Sequence, residues 1–135
     1  MENDTVLHDL TRRSLLRRAG YEYVMTDSPD ERGIDVALLY SPFSFRLLYS
    51  DTLRVAPARE RFRPTRDVLH ACGQLATGDT LHVFVVHAPS RRGGERASRP
   101  YRMAVAHRIS ETIDTLSAAH PAARILVLGD FNDYN

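Results

Sequence analysis

Leu81-His-Val-Phe-Val-Val86 is the stretch on which the fold turns. Apart from His82 every side chain in it is apolar, so both faces of an extended chain would be greasy, and a strand of that kind belongs in the middle of a sheet. Upstream, Gly78-Asp79 makes a turn, and Val68–Leu75 reads as the strand that precedes it. Arg59–Pro64 is a charged, extended approach to that strand. Earlier still, Phe45–Val55 reads as a strand broken near Ser50-Asp51, Ile34–Tyr40 as one that is mostly apolar apart from Asp35, and Tyr21–Thr26 as another. The turn-rich Asp27–Gly33 joins the last two. At the start of the chain, Asn3 or Asp4 caps a helix whose stripe is Val6, Leu7, Leu10, Leu15 and Leu16, with Gly20 as its stop. Downstream of the central strand, Ala88–Gly94 is a loop. Ser98 caps a long helix with Pro100 in its first turn, and Tyr101, Val105, Ile109, Ile113 and Leu116 recur at helical spacing until His120-Pro121. Ile125–Leu128 is a final apolar strand that runs into Gly129-Asp-Phe-Asn-Asp133. Many strands in succession with two helices predict an α/β (α+β) protein, with a mixed or antiparallel sheet and helices covering one face.

The composition excludes several classes. With 135 residues, 43% hydrophobic and 26% charged, the chain has the make-up of one ordinary globular domain. A net charge of +1 excludes a uniformly basic nucleic-acid glove but leaves local patches open. Cys72 is the one cysteine, which excludes an internal disulfide and a multi-cysteine zinc site. No apolar run is long enough to span a membrane, and the polar, acidic start Met-Glu-Asn-Asp is no signal peptide. All 18 basic residues are Arg. That reads as genome base composition, although Arg is also the better bidentate phosphate binder.

Four features carry chemistry. Gly129-Asp-Phe-Asn132 delivers a carboxylate and a carboxamide to the end of an apolar strand, where Asp130 can orient a water or bind a hard cation and Asn132 can donate to a phosphoryl oxygen. Taken alone, Asp-x-Asn after a strand is more often an Asx turn. His87 stands at the end of the central strand, as a general acid, a phosphate donor or an ordinary strand-end histidine. Arg66, at a strand entry, can clamp phosphate bidentately or pair with Asp67 or Asp35. In Ser90-Arg-Arg-Gly-Gly-Glu95 the glycines allow close backbone approach and Arg91 and Arg92 supply charge, unless the loop is simply solvated.

Together these features are more specific. Arg32-Gly-Ile-Asp-Val-Ala-Leu-Leu-Tyr40, Arg63-Pro-Thr-Arg-Asp-Val-Leu69, Val85-Val-His-Ala-Pro-Ser-Arg-Arg-Gly-Gly-Glu95 and Gly129-Asp-Phe-Asn-Asp133 stand in the order used by the endonuclease/exonuclease/phosphatase (DNase-like) family, which the chain resembles along nearly its whole length. Gly-Asp-Phe-Asn is the most specific block. The Pro-Ser-Arg-Arg-Gly-Gly-Glu stretch resembles a bacterial subgroup in which a Trp commonly follows the histidine, where this chain has Ala88.

The resemblance implies a four-layer sandwich, with two sheets face to face and helices outside, of which this chain would form part. It also implies a phosphoester hydrolase, most of all a nuclease-like phosphodiesterase, that uses Mg²⁺ (or Mn²⁺ or Ca²⁺) to drive water onto phosphorus. Asp130 would orient or activate that water and serve as a metal ligand. Asn132 would hydrogen-bond the phosphoryl group, and His87 would contact the scissile phosphate. Arg66, with Arg91 and Arg92, would bind substrate phosphate. The family's early Asn and metal-binding Glu would fall ahead of Met1, and its late Asp-His pair beyond Asn135, with Glu2 as the nearest substitute ligand. Residues 1–135 are therefore expected to be the middle of a domain, inactive or feeble alone, with uncovered sheet edges open to self-association. A non-catalytic remnant that keeps the scaffold, or an Arg-rich nucleic-acid contact without catalysis, are the competing readings. The substrate among DNA, RNA, inositol phosphates and lipid headgroups, and the compartment, do not follow from the sequence.

Overall fold

The computed structural model describes residues 4–26, 35–55, 67–91 and 94–132. Helix α1 (Asp4–Arg12) and a 3-10 helix (Leu15–Ala19) lead into β1 (Glu22–Met25) and β2 (Ala37–Tyr40), an antiparallel pair with Val24 opposite Leu38. The strands β3 (Phe45–Leu53), β4 (Val68–Leu75), β5 (Thr80–His87) and β6 (Arg124–Asp130) form a second sheet in that spatial order. Pairing is antiparallel as far as β5 and parallel between β5 and β6, with helix α2 (Glu95–Ala119) as the crossover. The result is an α/β fold with one antiparallel and one mixed sheet.

β5 lies between β4 and β6, and both of its faces are covered, which is why its sequence is apolar throughout. Phe84 and Val86 point to α2 and pack with Leu53, Val68, Val105 and Ile109. Val83 and Val85 point the other way and pack with Leu69, Phe45 and Val36, joined by Val24 and Leu38 of the β1–β2 pair. Fully burying a side chain such as Phe84 contributes about 2–3 kcal/mol. The element count predicts helices that share one face; they do not. α2 covers one face of the four-stranded sheet, β1 and β2 cover the other, and α1 packs on β1.

Several boundaries differ from the sequence reading, each for a local reason. The first helix is two pieces, because the Ser14 hydroxyl donates to the Leu10 carbonyl and accepts from the Leu16 N–H, replacing the helical continuation. Gly20 does end it, in a left-handed conformation with φ 68°. β3 is unbroken at Ser50-Asp51, which pair with Ala71 and His70, and its irregularity falls instead between Leu47 and Tyr49. α2 starts at Glu95, so Ser98 lies inside it, buried, with its hydroxyl donating back to the Gly94 carbonyl, and Pro100 falls in the second turn. Asn3, Ile34 and the Arg59–Pro64 approach lie outside the described residues.

Register gives the sheet two distinct ends. Phe45, Leu75 and the pair Leu81–Arg124 lie toward one, and Leu53, Val68 and the pair His87–Asp130 lie at the other.

Candidate active site

The parallel register of β5 and β6 sets His87 opposite Asp130. Gly129, one step earlier, is opposite Val86 with φ 138°, and a Cβ built on it would lie 1.9 Å from the Val86 carbonyl oxygen. Only glycine lets β6 run this close to β5 and turn Asp130 outward. Past the strand, Asn132 takes φ 50°, a conformation Asn tolerates better than most residues.

Hydrogen bonds then stitch the two strand-end loops together. The Asp130 Oδ1 accepts the Asn132 N–H at 2.9 Å, so the Asx turn and the site are one structure. The Asn132 Nδ2 donates to the Ala88 carbonyl at 2.6 Å, and the Ala88 N–H donates to the Asp130 carbonyl at 2.8 Å. Arg91 Nε donates to the Asn132 carbonyl at 3.0 Å, while its guanidinium lies 4.0 Å from Glu95 at the start of α2. Arg91 is thus a tether of the Asp130–Asn132 turn. Arg66, Arg92 and Glu2 lie outside the described residues.

The His87 and Asp130 side chains are both partly exposed. His87 Nε2 is 3.8 Å from Asp130 Oδ2, with the two side chains 32% and 65% exposed. At that separation an imidazole and a carboxylate can share a water or flank a small anion. A carboxylate placed like that of Asp130 is a ligand type that hard divalent cations take, alongside waters and other oxygens. Among the described residues no group of three or more His, Cys, Asp or Glu side chains is placed to hold a metal by itself.

Sequence reading treated Asp67 only as a partner for Arg66. Leu69 pairs with Val85, and continuing that antiparallel register by two residues brings Asp67 level with His87. Asp67 is buried, and burial pushes its carboxyl above the usual range, with Arg54 opposing and Asp35 adding to the rise. The signal available in the sequence was an acid at the mouth of an otherwise apolar strand.

A second group was missed altogether. His70 Nε2 and His82 Nδ1 are 2.9 Å apart, His82 Nε2 lies 3.9 Å from Cys72 Sγ, and Tyr49 meets both rings edge-on. His70 also stacks on Phe84. All three of His70, Cys72 and His82 are buried. Burial lowers both imidazoles and raises the Cys72 thiol.

Comparison with known proteins gives a family-model match, to the endonuclease/exonuclease/phosphatase family, over residues 1–135. No curated protein matches. Among solved structures, the human Nocturnin catalytic domain with bound sulfate superposes with a TM-score of 0.68 at 19% identity, covering 88% of this chain and 45% of that one. ANGEL2, described as a 2',3'-cyclic phosphatase, gives 0.66 at 16% identity, with 93% and 37% covered. An endonuclease/exonuclease/phosphatase from Bacteroides vulgatus gives 0.52 at 22% identity, with 86% and 46% covered. The chain spans less than half the length of each of these structures.

Proposed function

The chain belongs to the endonuclease/exonuclease/phosphatase family, and on that premise we propose that it carries the water-orienting and phosphate-binding strand ends of a divalent-metal-dependent phosphoester hydrolase, a nuclease-like phosphodiesterase in the first instance. The observation that carries this reading is the meeting of His87 and Asp130 across β5 and β6, with Asn132 locked beside them. A phosphodiester is shielded by its own negative charge, so its hydrolysis needs an aligned water and donors aimed at the charge that develops. Asp130 orients the attacking water and supplies a carboxylate to Mg²⁺. His87 contacts the scissile phosphate. Asn132 keeps one of its amide protons for a phosphoryl oxygen, the other being held by the Ala88 carbonyl. Arg66 and Arg92 meet the substrate's phosphates, and Arg91 holds the turn. Asp67, level with His87, orients that ring. A bound Mg²⁺ would neutralise phosphoryl charge and acidify a water. The similar Nocturnin domain holds a bound sulfate and the similar ANGEL2 is a 2',3'-cyclic phosphatase, both in line with a pocket for tetrahedral oxyanions.

The test is a titration of the chain with Mg²⁺ and orthophosphate, followed by NMR at the His87 ring and the Asn132 amides. Both sets of signals should move together, and the Mg²⁺-dependent part should vanish in Asp130→Ala. Ring signals that stay fixed while phosphate binds elsewhere would overturn the reading.

A further inference from the structure

A second surface lies away from the strand ends that carry His87 and Asp130. In the 3-10 helix, Leu15 is 95% exposed and Leu16 is exposed beside it, and in the turn between β2 and β3, Phe43 is 84% exposed. These are large apolar side chains standing in water, not the isolated apolar atoms that every surface carries. The two segments adjoin: a Cβ on Gly20, the cap of the 3-10 helix, would be 3.6 Å from the Phe43 ring. At about 2 Å of rise per residue, Leu15 is roughly 10 Å along the axis from that cap.

The charge within these two segments has one sign. Arg12, Arg13, Arg17 and Arg18 flank the leucines, and neither segment 14–21 nor segment 41–45 contains an acidic residue. Arg12 is paired with Glu22 and Arg13 with Asp9, whereas Arg17 and Arg18 have no ion-pair partner among the described residues. Exposed leucines and a phenylalanine beside Arg17 and Arg18 match an interface that is apolar below and anionic above. No helix of the described residues is long and apolar enough to cross a membrane.

We propose that Leu15, Leu16 and Phe43, with Arg17 and Arg18, form a docking surface for membranes that bear anionic phospholipids. Geometry adds a consequence. The Phe43 turn feeds β3 at Phe45, which pairs with Leu75, at the end of the sheet opposite His87. β5 runs from Thr80 to His87, about 23 Å at 3.3 Å per residue. A chain held by this surface therefore presents His87 and Asp130 away from the bilayer, toward substrate arriving from solution.

The experiment is vesicle co-sedimentation of the 135-residue chain with phosphatidylcholine alone and with phosphatidylcholine containing phosphatidylserine. Binding should be far stronger on the anionic vesicles and should weaken as salt is raised. Arg17→Gln/Arg18→Gln should cost roughly 30-fold on anionic vesicles, from about 1 kcal/mol per basic residue. Leu15→Ser/Phe43→Ser should cost 10-fold or more, roughly, given the apolar area withdrawn. Both pairs are at the surface, so circular dichroism should match wild type. Leu126→Ser, at an exposed apolar position on β6, is the control and should bind like wild type. No sedimentation with anionic vesicles, or equal loss in the Leu126 variant, would overturn the proposal. So would binding that ignores both double substitutions.

Discussion

β5 carries two histidines five residues apart, and they live in opposite worlds. His82 points toward α2, the same way as Phe84 and Val86, and is sealed against His70 and Cys72. His87 points the other way and stands half-exposed at the strand end, 3.8 Å from Asp130. Alternation along a strand flips the face at every step, so an odd spacing is enough to separate a core histidine from one on the opposite face, at the strand end. Residue type and strand are shared. Parity and distance from the strand end decide the environment.

The largest effect that separates the two concerns turnover. In a longer polypeptide that supplies the rest of the domain, Mg²⁺-dependent hydrolysis of bis(p-nitrophenyl) phosphate should fall by about 10²–10⁴ in Asp130→Ala and in His87→Ala. His82→Gln should leave the rate per folded molecule near wild type. Steady-state rates normalised to the folded fraction check this, and comparable losses at His82 and His87 would erase the contrast.

Gly129→Ala is expected to damage the exposed site through the backbone. The new Cβ meets the Val86 carbonyl oxygen, and φ 138° is strained for any side chain. A cost of about 3 kcal/mol in urea unfolding is expected, of the size seen when a special φ/ψ is lost. Amide NMR shifts should concentrate at 86–88 and 129–132 and spare His70 and His82.

Much of this contrast was legible in the sequence and part of it was not. The period-free apolar run Leu81–Val86 marked a strand covered on both faces, and its last neighbour, His87, was visibly the first polar residue past it. Asp130 and Asn132 were legible for the same reason. The His70–His82 contact was not, because it depends on cross-strand register: Cys72 is level with His82 and Ala71 with Val83, which puts the two rings diagonally adjacent on one face. No local pattern encodes a register set by a turn and two packed faces. The split of the first helix escaped because Ser14 interrupts it through a side-chain bond that leaves the apolar stripe intact. The parallel pairing of β5 and β6, which sets His87 beside Asp130, required the crossover by α2 to be recognised as such.

The sealed pair should write its signature on acid stability. Burial lowers the pKa of both His70 and His82; the second ring adds to the shift at His70 while Asp51 opposes it, and His120 adds to the shift at His82. The native pair thus stays neutral at pH values where the unfolded chain already takes up protons. Native stability is full above about pH 6.5, the ordinary imidazole value, and falls as pH drops below it toward the lowered native values. Each imidazole that stays neutral contributes up to about 1.4 kcal/mol per pH unit to that slope. Urea unfolding from pH 7.5 down to 5 should show it, and His70→Phe/His82→Leu should flatten it. A double variant with an unchanged acid limb would assign the loss to other groups.

The smallest effect in energy is the most direct probe of exposure. Diethylpyrocarbonate acylates a neutral imidazole only where it can reach a ring nitrogen. The His87 side chain is partly exposed at the strand end, whereas both rings of the pair are buried, with His70 Nε2 against His82 Nδ1 and His82 Nε2 against Cys72. Peptide mapping after brief treatment should find the adduct on His87 well before His70 or His82, and orthophosphate should slow it at His87 alone. Buried protons and thiols open only with local unfolding, so adducts at His70 and His82 should rise together, in step with Cys72 alkylation. Early labelling at His82 without Cys72 would mean that the face under α2 admits water, and the two environments on β5 would then differ in degree rather than in kind.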